Sequence, residues 1–227
     1  MKYILFISCF IVQLFTFSQE SKTYDLSSFE ELIVIGNFPV KYVKSDRKEA
    51  IVSIQDSTVE LDNLSFSYSN DELTIKYSGS FVDDIDIAIT MYAPKPRIIE
   101  ARRGTEIRFE DAGKYDEILT LKCRSGGKIL IKNVEATDIS AEVKKGGSIR
   151  IVGKTEVFHS TIKTGGEIAA VYLKAQEVEA TVKFGGEILC APKKRINATV
   201  ISGGTINYTG DPEVSQKIRL GGNIAKI

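Results

Sequence analysis

The sequence has no tryptophan, a single histidine and no excess of either charge, since 30 Lys and Arg residues balance 30 Asp and Glu residues in a chain of 227. One histidine argues against metal sites built from several histidines and against histidine-dependent catalytic triads. A neutral chain also lacks the basic excess typical of nucleic-acid-binding proteins. We therefore expect no metal, no cofactor and no nucleic-acid partner.

Long apolar segments are absent beyond the amino terminus. Residues 1–18 combine Lys2, an apolar stretch and small residues near the end, which is typical of a secretory signal peptide. An uncleaved anchor is the alternative, but Gln13 interrupts the stretch, which is shorter than the ~20 residues of a membrane-spanning helix. We predict cleavage between Ser18 and Gln19. We expect an exported protein, periplasmic or extracellular, with no stable membrane span after cleavage.

Glycine, in contrast, is abundant and regularly placed in the second half of the chain. Six Gly-Gly pairs recur every 18–20 residues, and each is followed by one variable residue and an isoleucine. Arg103 and Gly104 begin a degenerate earlier copy. A fixed period of this length is the signature of a repeat architecture. The pairs lie at residues 126–127, 146–147, 165–166, 185–186, 203–204 and 221–222.

Each copy alternates apolar and polar residues ahead of its glycines, which indicates a strand with one buried face. Two all-β folds fit this unit. In a meander the glycines form hairpin turns, whereas in a parallel β-solenoid (β-helix) they turn a corner and each copy is one rung. Only the solenoid stacks equivalent residues in columns, which explains why the residue five positions before the glycines is mostly small. We favour the solenoid.

The segment before the repeats is less regular but also rich in strand-forming residues, and no low-complexity linker separates the two parts. We therefore predict one domain over residues 29–227, after a short lead at 19–28. Residues 29–100 would supply irregular rungs and the cap that a solenoid needs, and residues 101–227 the regular rungs. Candidate strands in the first part lie at residues 32–35, 40–43, 51–54, 73–75 and 85–89.

Removal of the signal peptide would leave two of the three cysteines, Cys123 and Cys190. An even count in an exported protein invites a disulfide. In a solenoid these residues lie three rungs apart, about 14 Å at ~4.8 Å per strand, whereas the Cα atoms of a disulfide lie within ~7 Å. We predict two buried thiols that behave as small apolar residues.

Few residues suggest catalysis. Asp83, Asp84 and Asp86 could begin a calcium site or a glycosidase pair, but alternation divides them between two strand faces and no calcium loop follows. His159 takes an outward position without an obvious carboxylate partner, so we interpret it as a surface residue. The Gly-Gly pairs lack the helix and the Gly-Lys-Ser/Thr of a phosphate loop. We predict no catalytic residue.

One repeated position is a candidate for ligand binding. Five of the six copies have a basic residue two positions before the first glycine, on the outward face. In a solenoid these residues form a ladder with ~4.8 Å steps, and like charges so close need neutralisation. Glu142, Glu167 and Glu187 could supply it. Alternatively, the ladder binds a repeating anionic polymer such as an acidic polysaccharide. This basic ladder consists of Arg124, Lys144, Lys163, Lys183 and Arg219.

Three parts of the chain are similar to a known family: FEELIVIGNFPVKYV at residues 29–43, DELTIK at residues 71–76, and the Gly-Gly-x-Ile series. Over about residues 29–226 the chain resembles the auto-transporter adhesin head GIN domain family, a domain of unknown function. The resemblance implies a β-helical fold, expected to be right-handed, in a protein exported by bacteria. It conveys little biochemistry, because a fold does not determine a function.

We therefore expect a non-catalytic, exported binding or adhesion module of the bacterial cell envelope that recognises a polysaccharide or a surface partner. The alternative is a purely structural envelope protein that engages a protein partner or its own solenoid edge. A β-helical carbohydrate-active enzyme ranks third, because the repeats contain only scattered aspartates.

Overall fold

The computed structural model describes residues 20–54, 61–79 and 87–227, which form strands, turns and a short 3-10 helix at Leu61–Asn63. The predicted signal peptide, its cleavage point and the Asp83–Asp86 cluster lie outside these residues. The first nine strands are β1 (Glu20–Asp25), β2 (Glu31–Ile35), β3 (Pro39–Lys44), β4 (Glu49–Ile54), β5 (Leu64–Ser69), β6 (Glu72–Tyr77), β7 (Ile87–Ala93), β8 (Ile98–Arg102) and β9 (Glu106–Phe109). The other nine are β10 (Gly113–Lys114), β11 (Leu119–Arg124), β12 (Lys128–Lys144), β13 (Ser148–Thr164), β14 (Glu167–Phe184), β15 (Glu187–Ser202), β16 (Thr205–Tyr208), β17 (Glu213–Ile218) and β18 (Asn223–Lys226).

The repeats form a parallel β-solenoid, as predicted. Strands β12, β13, β14 and β15 each pair in parallel with the next along most of their length. The isoleucines that follow the glycines, such as Ile149, Ile168 and Ile188, therefore stand beside one another in a buried column. A meander requires antiparallel neighbours and is excluded, so each copy of the repeat is one rung.

Each long strand bends, so that a rung has three sides. In β12 the alternation of buried side chains is interrupted at Lys132 and Asn133 and again at Thr137 and Asp138. Asn133 has a φ of 53°, a left-handed conformation that asparagine adopts more readily than most residues. The Gly-Gly pair makes the third corner. The three sides enclose one continuous apolar core.

The first part of the chain enters the stack out of sequence order. The rung made by β2 and β3 lies between the rung of β6 and β7 and the rung of β8 and β9. The chain thus leaves the stack after β3, adds an outer rung, and returns on the opposite side of β2 and β3. Irregular rungs were predicted over residues 29–100, but the sequence pattern does not indicate the order in which these rungs stack.

Antiparallel strands cover the outer rung. β4 pairs with β7 and with β1, and β5 pairs with β6 in a hairpin. The hairpin turn has a φ of 48° at Asn70 and 61° at Asp71, and positive φ at both central residues is typical of a type I′ turn. β1 occupies much of the segment expected to be an N-terminal lead, because its backbone pairs with β4.

The small residues of the repeat form their own buried column. Ala141, Ser160, Ala180 and Ala198 stand in register across β12 to β15, and all are at most 2% exposed. Ser160 is tolerated in this column because its hydroxyl donates to the carbonyl oxygen of Glu179 at 3.3 Å. The stacking of rungs therefore explains why the residue five positions before the glycines is small in most copies of the repeat.

Cys123 and Cys190 are free and buried, which agrees with the prediction that they do not pair. Cys123 belongs to the column of Val143, whereas Cys190 belongs to that of Ala170. Burial raises the pKa of the Cys190 thiol to about 12 and raises that of Cys123 as well. Because the thiolate is the reactive form, both groups serve as small core residues.

The last rung is the least covered part of the solenoid. All six residues of β17 are exposed, including Val214 and Ile218, which continue buried columns of the rungs before. Gln216 and Lys226 stand at positions that face inward in the preceding rung. Within the described ranges, no helix has the length and apolar character that crossing a membrane requires.

Candidate functional site

Parallel pairing brings most of the basic ladder together on the outer side that precedes the Gly-Gly corners. Arg124 stands beside Lys144. Lys163 and Lys183 follow at equivalent places in β13 and β14, since the residues on both sides of them are paired. An irregularity at the end of β12 offsets Lys144 from Lys163 by one residue. The spacing is therefore less regular at this step than an ideal ladder.

Arg102 extends this set by one rung, because β8 places it directly beside Arg124. It lies two residues before Gly104, which is the offset of the other members. Its copy of the repeat has Thr105 in place of the second glycine, so the Gly-Gly pattern does not single it out. We call Arg102, Arg124, Lys144, Lys163 and Lys183 the basic column.

Arg219, the remaining member of the predicted ladder, lies apart from the basic column. Ile201 occupies the intervening rung, between Lys183 and Arg219. Arg219 follows the exposed strand β17 and is itself exposed. The structure thus brings five basic side chains into consecutive rungs and leaves Arg219 beyond an apolar gap.

A buried carboxylate holds the two arginines of the basic column. Oε1 of Glu100 accepts a hydrogen bond from Nε of Arg102 at 2.6 Å and lies 2.7 Å from Nε of Arg124. Glu100 is 2% exposed, whereas the arginine side chains are 33% and 40% exposed. The hydrogen bond to Glu100 raises the pKa of Arg102 above its usual value. The second contact is an ion pair without hydrogen-bond geometry, because Nε of Arg124 has no hydrogen-bond partner.

The lysines of the basic column are only partly neutralised. Nζ of Lys163 lies 2.7 Å from Oε2 of Glu142, one of the three glutamates expected to neutralise the ladder. Another of them, Glu187, instead accepts a hydrogen bond from the Asn207 amide at 2.9 Å. Within the described part of the chain, Lys144 and Lys183 form no ion pair. Their ammonium groups are thus available to an external anion.

A polar strip runs beside the basic column on the same side of the solenoid. Thr161, Thr181 and Thr199 stand in register on β13, β14 and β15, two residues before the positions of the column. Their hydroxyl groups can donate to and accept from a ligand, while the neighbouring ammonium groups only donate. Donors of this kind suit carboxylate or sulfate oxygens. The arrangement has the chemistry of a binding surface.

His159 lies on the outer face, as predicted, but it has carboxylate partners that were not expected. Nδ1 of His159 lies 3.0 Å from Oε2 of Glu179, and its Nε2 lies 4.0 Å from Oδ1 of Asp138. Glu179 is the register partner of His159 across β13 and β14. The repeat period alone predicts this neighbour once the strands are stacked in parallel. Among the described residues, no group of three or more His, Cys, Asp or Glu side chains could hold a metal ion.

Solved bacterial structures share this architecture. A putative adhesin from Bacteroides fragilis NCTC 9343 has a TM-score of 0.79 at 19% identity, covering 93% of this chain and 98% of that one. A putative lipid binding protein from Parabacteroides distasonis ATCC 8503 has a TM-score of 0.73 at 19% identity, with coverages of 92% and 96%. A putative adhesin from Parabacteroides merdae ATCC 43184 has a TM-score of 0.67 at 16% identity, with coverages of 92% and 95%. At these identities the likeness establishes the fold alone.

Functionally curated proteins give no match to this chain. The family model described as "Putative auto-transporter adhesin, head GIN domain" matches residues 28–212. The match includes all of the long rungs from β12 to β15 and the strands β2 and β3 that precede them. It confirms the resemblance carried by the glycine repeat and by the opening segment. The chain belongs to the auto-transporter adhesin head GIN domain family.

Proposed function

We propose that this chain is a non-catalytic, exported binding module of adhesion type, and that its basic column binds an anionic polysaccharide. The observation that carries this proposal is the placement of five basic side chains at neighbouring positions in consecutive rungs. The family and two of the solved neighbours above bear the name of adhesins rather than of enzymes. The adhesin-like family and the sequence at residues 1–18 support an exported location.

The charge distribution supports a polymer rather than a small anion. The rungs repeat at ~4.8 Å, so the column presents its charges as a line and not as a pocket. A glycan with a carboxylate on successive sugars also presents charges in a line. Lys144 and Lys183 would contribute most, because neither is paired within the described residues, while Lys163 must leave Glu142. Many weak contacts of this kind add up and are screened by salt.

The test is binding of polygalacturonate, with dextran as the neutral polymer, at low and moderate salt. The variant changes Lys144, Lys163 and Lys183 to Gln together. We expect polygalacturonate to bind the unchanged protein, salt to weaken this binding, and the triple variant to lose about tenfold in affinity or more.

The matched control removes three lysines from other sides of the solenoid, by Lys128→Gln, Lys132→Gln and Lys154→Gln. It should bind polygalacturonate almost as well as the unchanged protein. The proposal would be contradicted if the affinity for polygalacturonate changed neither with salt nor in the triple variant of the basic column. Equal losses in the two triple variants would show a response to net charge and not to the column.

A structural envelope role is the second candidate function, and the exposed last rung favours it. β17 has a paired neighbour on one side only among the described strands, and it exposes Val214 and Ile218. A strand edge of this kind can pair with another protein. A pull-down with the envelope fraction, repeated with Ile218→Lys, distinguishes this role: loss of a captured partner only in the variant supports it.

A further inference from the structure

A second surface is built by a large irregularity in the strands. Between the paired positions Ala170 and Ala175, strand β14 has the four residues 171–174, whereas β15 has only Ala191 between the matching positions Cys190 and Pro192. β14 therefore forms a wide bulge at one corner of its rung. Bulges redirect side chains and are over-represented beside functional sites.

The bulge exposes an aromatic ring and is anchored by a buried neighbour. Tyr172 is 73% exposed, while the adjacent Leu173 is 1% exposed and packs in the core. The bulge is thus held in place and Tyr172 is directed outward. Exposing a large aromatic side chain sacrifices the stabilisation that its burial would give. An exposed ring on a fixed bulge is a flat surface that a ligand can cover.

Three shallow cavities surround this bulge, and Lys174 lines all of them. Their volumes are about 350, 340 and 210 Å³. The first lies beside Pro192, where β15 is short, and the second contains Tyr172. The third lies between Lys154 and Lys193 and also contains Gln176. We call the surface lined by these three cavities the bulge groove.

The polar groups of the bulge groove are mixed in charge. Three lysines, Lys154, Lys174 and Lys193, line it together with three carboxylates, Glu135, Glu156 and Asp211, so its formal charge is zero. Lys154 is already paired with Glu135, with Nζ 2.9 Å from Oε2. The bulge groove thus offers both ammonium donors and carboxylate acceptors. Sugar hydroxyl groups need both, because each of them donates and accepts hydrogen bonds. A strongly anionic ligand would instead be repelled by Glu156.

We propose that the bulge groove binds a neutral pyranose unit of a glycan. One apolar C–H face of the sugar ring packs on the ring of Tyr172, which combines an apolar body with a polar tip. The hydroxyl groups accept from Lys174 and donate to Glu135, which line the same cavity as Tyr172. This site lies at a different corner from the basic column and does not depend on it. It takes a single sugar unit, whereas the column takes a charged chain.

The experiment is titration calorimetry with neutral tetrasaccharides of glucose, mannose and galactose, and with tetragalacturonate as the acidic probe. We expect at least one neutral tetrasaccharide to bind, with little dependence on salt. Tyr172→Ala should weaken that binding about tenfold or more, since it removes the stacking surface. Changing Lys144, Lys163 and Lys183 to Gln should leave it unchanged, which separates this site from the proposed function.

Phe184→Ala is the matched control. Phe184 is also an exposed aromatic residue of β14, at 59% exposure, but it lines none of the three cavities. This variant should bind the neutral tetrasaccharide as the unchanged protein does. The proposal is overturned if none of the three neutral probes binds, if Phe184→Ala and Tyr172→Ala lose affinity equally, or if tetragalacturonate alone binds.

Discussion

At the scale of single residues, Glu100 determines how the amino-terminal end of the basic column is built. Its carboxylate is almost fully buried between Arg102 and Arg124, both of which remain partly exposed. A buried carboxylate is costly unless it is paired. Glu100 therefore fixes the two guanidinium groups in place, while Lys144 and Lys183 are half-buried and no carboxylate among the described residues holds them. The column combines a rigid end with an adjustable one.

We expect Glu100→Gln to lower the free energy of unfolding by about 2–3 kcal/mol, because it removes the negative charge that pairs with two arginines and places an amide in the buried site. The control is Glu142→Gln, which breaks the more exposed pair with Lys163 and should cost below about 1 kcal/mol. Urea unfolding of both variants measures the difference. Similar losses in the two would mean that burial of Glu100 adds nothing to the strength of its pairing.

Sequence alone could not identify every residue of these surfaces, and the reasons differ. Arg102 has the right offset from Gly104, but its corner lacks a second glycine, so the repeat pattern passes over it. The bulge groove has no constant offset. Lys154, Lys174 and Lys193 lie eight, nine and eight residues after the first glycines of their corners, because β14 bulges. A bulge shifts register locally, and a strict period does not contain it.

At the scale of the elements, the Gly-Gly corner was the most predictable feature, and the structure shows that its two glycines differ. At Gly165, with a φ of 59°, an added Cβ would have nothing within 4 Å. At Gly166, with a φ of 104°, the same atom would lie 2.5 Å from Cγ1 of Val143 and 2.7 Å from the carbonyl oxygen of Gly147. The first position restricts only the backbone, whereas the second also has no room.

Gly165→Ala should therefore destabilise the fold by about 1 kcal/mol, the cost of a left-handed alanine. Gly166→Ala should cost about 3 kcal/mol or more, because the clash with the preceding rung adds to the strain. Thermal and urea unfolding of the two variants test this order.

At Gly222 a Cβ would be as close to Val200 as in the interior rungs. We expect a smaller loss there because the last rung can shift, and equal losses at Gly165 and Gly166 would contradict the assignment.

At the scale of the whole molecule, local pattern predicts the stack but not the order of its rungs. Regular columns require only that each rung resemble its neighbours, which the 18–20-residue period guarantees. The insertion of β2 and β3 between two later rungs depends on pairings over about 40 and 67 residues, as Leu32 with Leu73 and with Ile99 shows. Such contacts leave no periodic trace. The strands of residues 29–100 could therefore be predicted from the sequence, but their positions in the stack could not.

The two ends of the solenoid are protected in different ways, and this predicts how the molecule can be made to self-associate. β4 and β5 cover the outer rung at one end. At the other, β17 is an exposed edge in which Gln216 interrupts the inward column that Ala198 holds in β15. Polar side chains on an edge oppose pairing with a second copy. The single change Gln216→Val restores an apolar stripe from Val214 to Ile218.

We therefore expect Gln216→Val to increase self-association relative to the unchanged protein, measured as a concentration-dependent rise in sedimentation coefficient. The control is Thr199→Val, which adds a similar apolar group to β15, a strand paired on both sides and unable to gain a partner. Added hydrophobicity alone would make the two variants equal. Because an edge strand offers unpaired backbone groups in addition to apolar surface, the effect should be confined to Gln216→Val.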